Sequence, residues 1–329
     1  MLAILIDFPD LKHNNNQLSA QDTDMFYESY TPEHYQNMLF NSEGFLGPNN
    51  ETLTSVYQYY FGASGQSFIF NGQVYGWVTA DFNAKEYGER VGNTRDINAP
   101  ALIQEAVEKA VNQFDIDLTQ YDLTDLDDID NDGIINEPNG IIDHVMVFHS
   151  SVGEEAGGGY LGTDAIWSHR YYVFDENSDP VTIAGSNIKL SGYTINPIDA
   201  SIGVVAHEFG HDLGLPDEYD LQSNTVGEPV ASWSIMSTGS WAGALRGSQP
   251  VMFSAQALAY LQRRYNGNWV NQLNLAMEEV NDNSLQSLVY SSSSSQEQSQ
   301  IKVTLPNRLE AFKTPIEGDF QFFSGAGIT

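Results

Sequence analysis

The chain has 329 residues, of which 41% are hydrophobic and 17% charged, so it can bury a sizeable core and disorder over most of its length is excluded. Its 13 Lys and Arg residues against 44 Asp and Glu residues give a formal net charge of −31, which disfavours nucleic acid and membrane surfaces as partners and favours cations. Because cysteine is absent, disulfide bonds, thiol catalysis and cysteine-ligated zinc are excluded.

The predicted elements begin with a buried strand at residues 1–7. This segment has neither the basic residues nor the cleavage site of a signal peptide, and a chain that starts on a core strand suggests a fragment of a longer protein. No uncharged apolar run approaches the about 20 residues that span a bilayer. Periodicity and turn residues then predict, up to residue 150, a helix at 55–60, a hairpin with strands 68–70 and 74–78 around Asn71-Gly72, a helix at 102–114 and a strand at 141–149.

The second half of the chain changes from helices to strands. We predict a helix that begins at Asp199 or Ser201, either of which could cap it, and ends near Leu213. The other elements predicted in this half are a strand around 171–174, a helix at 251–265, and strands at 301–305 and 320–323.

Two units follow from this order of elements. We predict a first domain at residues 1–272, with an upper part at about 1–214 and a lower part at about 215–272. We predict a β-rich accessory segment at residues 273–329, which we expect to be incomplete because the chain ends without an evident final strand.

The strongest motif is His207-Glu208-Phe209-Gly210-His211, an HExxH pattern. Residues four apart lie on one face of a helix, so two imidazoles can hold one Zn²⁺ while Glu208 reaches a water beside it. Gly214 permits a tight turn after the helix, which brings Asp217 back as third ligand, with neighbouring Glu218 as a competitor for that role. The alternative, a pair of hydrogen-bonded core histidines, is disfavoured by this extended pattern.

A methionine follows the zinc motif at Met236, within Ser234-Ile235-Met236-Ser237. By itself such a residue is more often core packing, but downstream of HExxH it is typical of the Met-turn of metzincins. Some metzincins place a tyrosine two residues later, where this chain has Thr238, so a stabiliser of the tetrahedral intermediate is not evident from that turn. Tyr219 is a weak candidate for that role.

A second motif favours calcium. Asp128, Asp130 and Asp132 alternate before Gly133, as in the first half of an EF-hand loop, and Ile134 would add its backbone carbonyl. Asn139 stands where a bidentate glutamate is expected, so Glu137 or Asp143 would have to complete the ligand shell. The alternative is an acidic solvated loop held open by repulsion.

The chain resembles the immune inhibitor A group of bacterial metalloproteases, the M6 peptidases. Matching motifs run in the family's order over essentially the whole chain. They lie at 128–133, 142–144, 149–159, 164–170, 207–220 and 234–241.

This resemblance implies a secreted zinc endopeptidase, made as a longer precursor, that acts on proteins or peptides. Its fold would be an α/β (α+β) metzincin-like catalytic domain with an upper mixed sheet and a lower helical subdomain. His207, His211 and Asp217 would bind Zn²⁺, Glu208 would be the general base, and Ca²⁺ would be a second metal. We expect a monomer.

Other features leave alternatives open. Residues 153–159 and 167–169 either form a glycine-lined rim whose edge strand receives a peptide, or a surface loop with a core tryptophan. His144 and His149 lie outside the metal patterns, so we interpret both as structural. Two competing functions are a non-catalytic calcium-dependent binding or adhesion module, and a zinc hydrolase acting on a small amide or glycan.

Overall fold

A computed structural model describes residues 1–92, 94–126, 128–221 and 228–270, together with the backbone of 272–276 and 300–304. The strands are β1 (Leu2–Asp7), β2 (Phe45–Leu46), β3 (Thr52–Leu53), β4 (Gln73–Thr79), β5 (Val145–His149), β6 (His169–Tyr172), β7 (Val181–Thr182), β8 (Lys189–Leu190), β9 (Gly192–Pro197), β10 (Gln272–Ala276) and β11 (Gln300–Thr304). The α-helices are α1 (Pro32–Phe40), α2 (Val56–Ala63), α3 (Ala84–Gly88), α4 (Ala99–Phe114), α5 (Ile202–Asp212) and α6 (Ala255–Tyr265).

A five-stranded sheet organises the fold, in the order β4-β1-β5-β9-β6. The first four strands are parallel, and β6 runs antiparallel to β9 at one edge. All six residues of β1 are buried, as expected for an apolar strand in the middle of a sheet covered on both faces.

Helices cover both faces of this sheet. Side chains of β1 alternate, so Leu2, Ile4 and Ile6 pack on the face that α4 covers. Ala3 and Leu5 face the opposite core, to which α1, α2, α5 and α6 contribute. The result is a three-layer α/β arrangement.

Helix α5 begins after Ser201, whose extended backbone marks the N-cap although its side chain makes no capping hydrogen bond. Two glycines let the segment after the helix approach it closely. A Cβ on Gly203 would lie 1.9 Å from the Ser240 carbonyl oxygen, and one on Gly210 would lie 2.6 Å from the Met236 sulfur. The helix therefore contacts residues 236–240 directly.

Most of the predicted elements are confirmed, and one is wrong. The opening strand, the helices at 102–114 and 202–212 and the C-terminal part of the 251–265 helix are all present. The hairpin at Asn71-Gly72 is not formed, because β4 pairs in parallel with β1 and residues 68–70 form no strand. Phe70 is instead fully buried in an aromatic cluster, 5.0 Å from the ring of Phe209 between ring centroids.

The α/β class is confirmed. The mostly parallel sheet departs little from the expected mixed sheet, with β6 as its antiparallel member. The division of residues 1–272 at about residue 214 stays a prediction. Of the expected accessory segment, only the parallel pair β10–β11 is described, and the predicted strand at 320–323 lies outside the described residues. Within the described part of the chain, every helix is too short or too polar to cross a bilayer.

Candidate metal centre

Helix α5 brings two histidine side chains together. The Nε2 atoms of His207 and His211 are 3.1 Å apart. Each Nδ1 atom lies 2.8 Å from a backbone carbonyl oxygen, that of Ile235 for His207 and that of Leu215 for His211. Since a carbonyl can only accept, each neutral ring carries its proton on Nδ1, and both Nε2 lone pairs face each other.

A turn after the helix adds a carboxylate. Gly214 has φ +92°, the left-handed conformation that lets the chain reverse there. Beyond it, Oδ1 of Asp217 lies 3.3 Å from Nε2 of His207 and 3.1 Å from Nε2 of His211. Glu218 is engaged elsewhere, where its Oε1 accepts a hydrogen bond of 2.5 Å from Ser254 Oγ. The geometry therefore brings Asp217 to the histidines.

These three atoms, which we call the metal centre, fit a zinc ion. Tetrahedral ligands at about 2.0–2.1 Å from zinc are separated by about 3.3 Å, close to the 3.1–3.3 Å between these atoms. Two neutral imidazoles and an ionised carboxylate form a donor set that zinc accepts.

Glu208 is buried beside the metal centre and lines the cleft that contains it. Burial raises the pKa of its carboxyl group, against the opposing effect of His207 and His211. The cleft has a volume of about 780 Å³. Besides the metal centre, its described lining includes Glu155, Trp167, Ser168, His169, Arg170, Val204, Tyr219, Thr238, Trp241 and Arg246.

Met236 is fully buried and packs under α5 against Gly210. The neighbouring carbonyl of Ile235 orients His207, and the carbonyl of Met236 accepts a hydrogen bond of 2.7 Å from the amide of Glu218. This turn thus supports the metal centre through its backbone. Two residues on, Thr238 donates to Glu228 at 3.0 Å.

Tyr219 follows Asp217 by two residues, and its side chain lines the cleft. Its ring is nearly parallel to that of His207, with a centroid distance of 6.4 Å and an interplanar angle of 13°. Burial, and then the charge of Asp217, raise the pKa of its phenol. The phenol therefore stays protonated and available as a donor.

The rim of the cleft is formed by the edge of the sheet. Trp167, Ser168, His169 and Arg170 line it, and of the other predicted rim segment, 153–159, the described lining includes Glu155. That this rim receives a peptide stays a prediction. The glycines at 158 and 159 line a separate cavity of about 60 Å³.

A charged network behind the metal centre was not identified from the sequence. Asp212, next to His211, lies 2.7 Å from His144 Nδ1 and 3.2 Å from Arg170 Nε. His144 and His149 are both buried, consistent with structural roles. His144 and Arg170 are both distant from Asp212 in sequence, so no local pattern predicts this network.

The predicted calcium ligands come together only in part. We call Asp128, Asp130 and Asp132 the acidic loop. Their carboxylate oxygens lie within 4.8 Å of one another. Asp143 is outside this trio, and its carboxylate accepts from the amides of Leu123 and Thr124 at 3.1 and 3.0 Å.

Next to these carboxylates, the backbone amide of Ile134 donates a hydrogen bond of 2.7 Å to Oδ1 of Asp132. Glu137 has a raised pKa, through desolvation and then the negative charges of the neighbouring aspartates. That carboxyl group therefore lies within the field of the acidic loop.

Comparison with known proteins gives a consistent result. Residues 1–270 match the family model described as immune inhibitor A peptidase M6, catalytic domain. The chain is 46% identical over 336 residues to the pre-pro-metalloprotease PrtV of two strains of Vibrio cholerae serotype O1, and 37% identical over 342 residues to immune inhibitor A of Bacillus thuringiensis subsp. alesti. These alignments cover 99% of this chain, which spans 36% of PrtV and 49% of the Bacillus protein.

Proposed function

Because this chain belongs to the immune inhibitor A peptidase M6 family, we propose that it is a zinc-dependent endopeptidase that hydrolyses peptide bonds in proteins. The observation that carries the proposal is the convergence of two Nε2 atoms and one carboxylate oxygen at 3.1–3.3 Å, beside a buried glutamate in an open cleft. Two imidazoles and a carboxylate that converge in this way form a donor set that a divalent cation stabilises.

Each residue of the site has its own role in the proposed hydrolysis. His207, His211 and Asp217 would hold a zinc ion, which would supply Lewis acidity for the scissile carbonyl and would lower the pKa of a nearby water. Glu208 takes the proton of the attacking water and delivers it to the leaving amine, a transfer helped by a pKa that burial has raised. The phenol of Tyr219 donates a hydrogen bond to the oxygen on which negative charge develops. The edge strand β6 aligns an extended substrate by hydrogen bonds along the rim.

We further propose that the protein is secreted, as part of a longer precursor, and acts as a monomer on protein or peptide substrates. Support comes from the printed name of its Vibrio relative, a pre-pro-metalloprotease, and from the fraction of that protein that the chain spans. A metzincin-like arrangement is supported by the position of Met236 under α5. Calcium in the acidic loop stays a prediction.

The decisive variant is Glu208→Gln, which keeps the shape of the side chain and removes the base. We expect one zinc per chain in both proteins, and casein hydrolysis slower by about 10²–10⁴-fold in the variant, the usual contribution of a general base. Glu176→Gln, at an exposed position, is the matched control and should behave as wild type.

Other outcomes would overturn the proposal. Wild-type hydrolysis that survives 1,10-phenanthroline, or normal turnover by Glu208→Gln, would contradict the zinc mechanism. Calcium alone, with no hydrolysis, would favour the binding module instead.

A further inference from the structure

A second cavity opens beside the cleft of the metal centre. Its volume is about 230 Å³, more than ten times the roughly 10–15 Å³ that one water needs. Four residues line both spaces, so the second cavity adjoins the first. They are Glu155, Val204, Trp241 and Arg246.

Four separate segments build the walls of this cavity. They are the loop at 20–25, the segment 155–156, the turn from the end of β9 into α5 at 197–201, and the segment that carries Trp241 and Arg246. Val204 lies in α5 one turn before His207 and Glu208, on the same side of the helix. A side chain next to the scissile bond would therefore find this cavity within reach.

The described lining of the cavity is acidic. Four of its residues carry carboxylates and one carries a positive charge. We call this cavity the acidic pocket. Its charged residues are Asp22, Asp24, Glu155, Asp199 and Arg246.

Asp199 is the most informative of these residues. Its side chain is 8% exposed, and within the described part of the chain its Oδ1 atom has no hydrogen-bond partner. Burial raises the pKa of this carboxyl group, while a hydrogen bond from the Thr23 side chain opposes the shift. A buried carboxylate without a counter-charge is costly, and a cation in the pocket would offset that cost.

The pocket does not supply that cation itself. The guanidinium of Arg246 lies over the ring of Trp241, 4.1 Å from its centroid, and among the described residues it forms no ion pair with the four carboxylates. Nor are those carboxylates arranged as a preformed metal site, since the groups of three close ligand atoms found among the described residues lie elsewhere. A long organic cation fits the volume and the charge better.

Resting on the proposed function, we propose that the acidic pocket binds the lysine or arginine side chain of a substrate residue next to the scissile bond. Glu155, which also lines the cleft, attracts the charged group together with Asp24, and Asp199 pairs with it inside. The enzyme then cleaves beside basic residues.

Cleavage mapping tests this specificity. Peptides that differ only in Lys, Arg, norleucine or Glu at each position flanking one cleavable bond are digested, and products are identified by mass spectrometry. We expect kcat/KM to be higher by about tenfold or more for Lys and Arg than for norleucine at one flanking position.

Variants of the pocket assign the preference to its residues. Asp199→Asn should remove most of the ratio between Lys and norleucine while leaving hydrolysis of the norleucine peptide within about threefold of wild type. Glu155→Gln serves as a second variant with a smaller loss if Asp199→Asn does not fold. Asp115→Asn, on the surface after α4, is the control. Cleavage without a basic preference, or an unchanged ratio in the folded pocket variants, would overturn the inference while leaving the peptidase intact.

A binding measurement separates the two proposals. Lysine amide and norleucine amide are titrated against Glu208→Gln, with the fluorescence of Trp241 in the pocket wall as the signal and Trp241→Phe as the check on its origin. Tighter binding of lysine amide, lost on adding Asp199→Asn, supports the pocket even if no peptide is cleaved. Equal binding of the two amides would refute it.

Discussion

The metal centre and the acidic loop each gather three ligand-type side chains within 4.8 Å, yet they are built differently. In the metal centre, His207 and His211 turn their Nδ1 protons outward to carbonyls of other segments, which leaves unprotonated atoms facing inward. In the acidic loop, carboxylates accept from nearby backbone amides, such as Asp128 from Gly133 at 3.1 Å. The loop therefore satisfies part of its own hydrogen-bonding capacity.

This difference teaches what spacing alone does not specify. A group of ligands becomes a metal site when the surrounding structure orients their lone pairs toward one point and gives them no proton to share. In the metal centre, the three candidate ligand atoms lie 3.1–3.3 Å apart, as the proposed zinc site requires. The acidic loop meets only the condition of proximity, with two of its three aspartates exposed.

The largest effect should come from removing Asp217, the proposed oxygen ligand of the metal centre. Asp217→Ala is expected to lower zinc affinity by more than about 100-fold, and peptide hydrolysis with it, because ligand loss exceeds the 10–100-fold effect of losing an outer partner. Glu218→Gln is the matched control and should retain zinc, since its contact with Ser254 survives. Metal content after gel filtration and casein hydrolysis are the measurements; zinc lost from Glu218→Gln and kept by Asp217→Ala would reverse the ligand assignment.

An intermediate effect should distinguish the two descriptions of the acidic loop. If it binds Ca²⁺, the melting temperature of wild type should rise by roughly 5 °C at a calcium concentration about 100 times the dissociation constant. We expect this rise, and we expect Asp130→Asn to reduce it. If the melting temperature of wild type does not change with Ca²⁺, the acidic loop is a solvated loop and, unlike the metal centre, not a metal site.

The smallest effect concerns Glu137. Desolvation and the nearby aspartates raise its pKa above the ordinary 4.5, so the folded protein binds this proton more tightly than the unfolded chain does. Stability from this group is present below pH 4.5 and is lost as the pH rises through the higher folded value. Glu137→Gln should therefore raise the melting temperature at pH 7 by less than about 2 °C, with no gain at pH 4. A gain at pH 4 and none at pH 7 would contradict the sign.

The core of the candidate site was predictable because it is local. His207, His211 and Asp217 lie within one helix and the turn after it, so helical periodicity and a glycine suffice to place them together. The same holds for α4 and for the opening strand, whose patterns are strong. Local signals failed at Asn71-Gly72, where pairing of β4 with β1 overrode the hairpin preference.

What sequence reasoning missed depends on distant segments. The carbonyl of Ile235 that orients His207, and the partners of Asp212, come from other parts of the chain. The acidic pocket is assembled from four segments. Nothing in the spacing around Asp199 indicates that it will be buried without a partner, because burial there is decided by the loop at 20–25.

The glycine contacts of α5 have a mechanical consequence. With Gly203 against the Ser240 carbonyl and Gly210 against the sulfur of Met236, no side chain separates the helix from the turn that holds its first histidine. If the helix slid along the turn, these atoms would clash or the contact between His207 and the Ile235 carbonyl would break. We therefore expect the helix and the turn to move together.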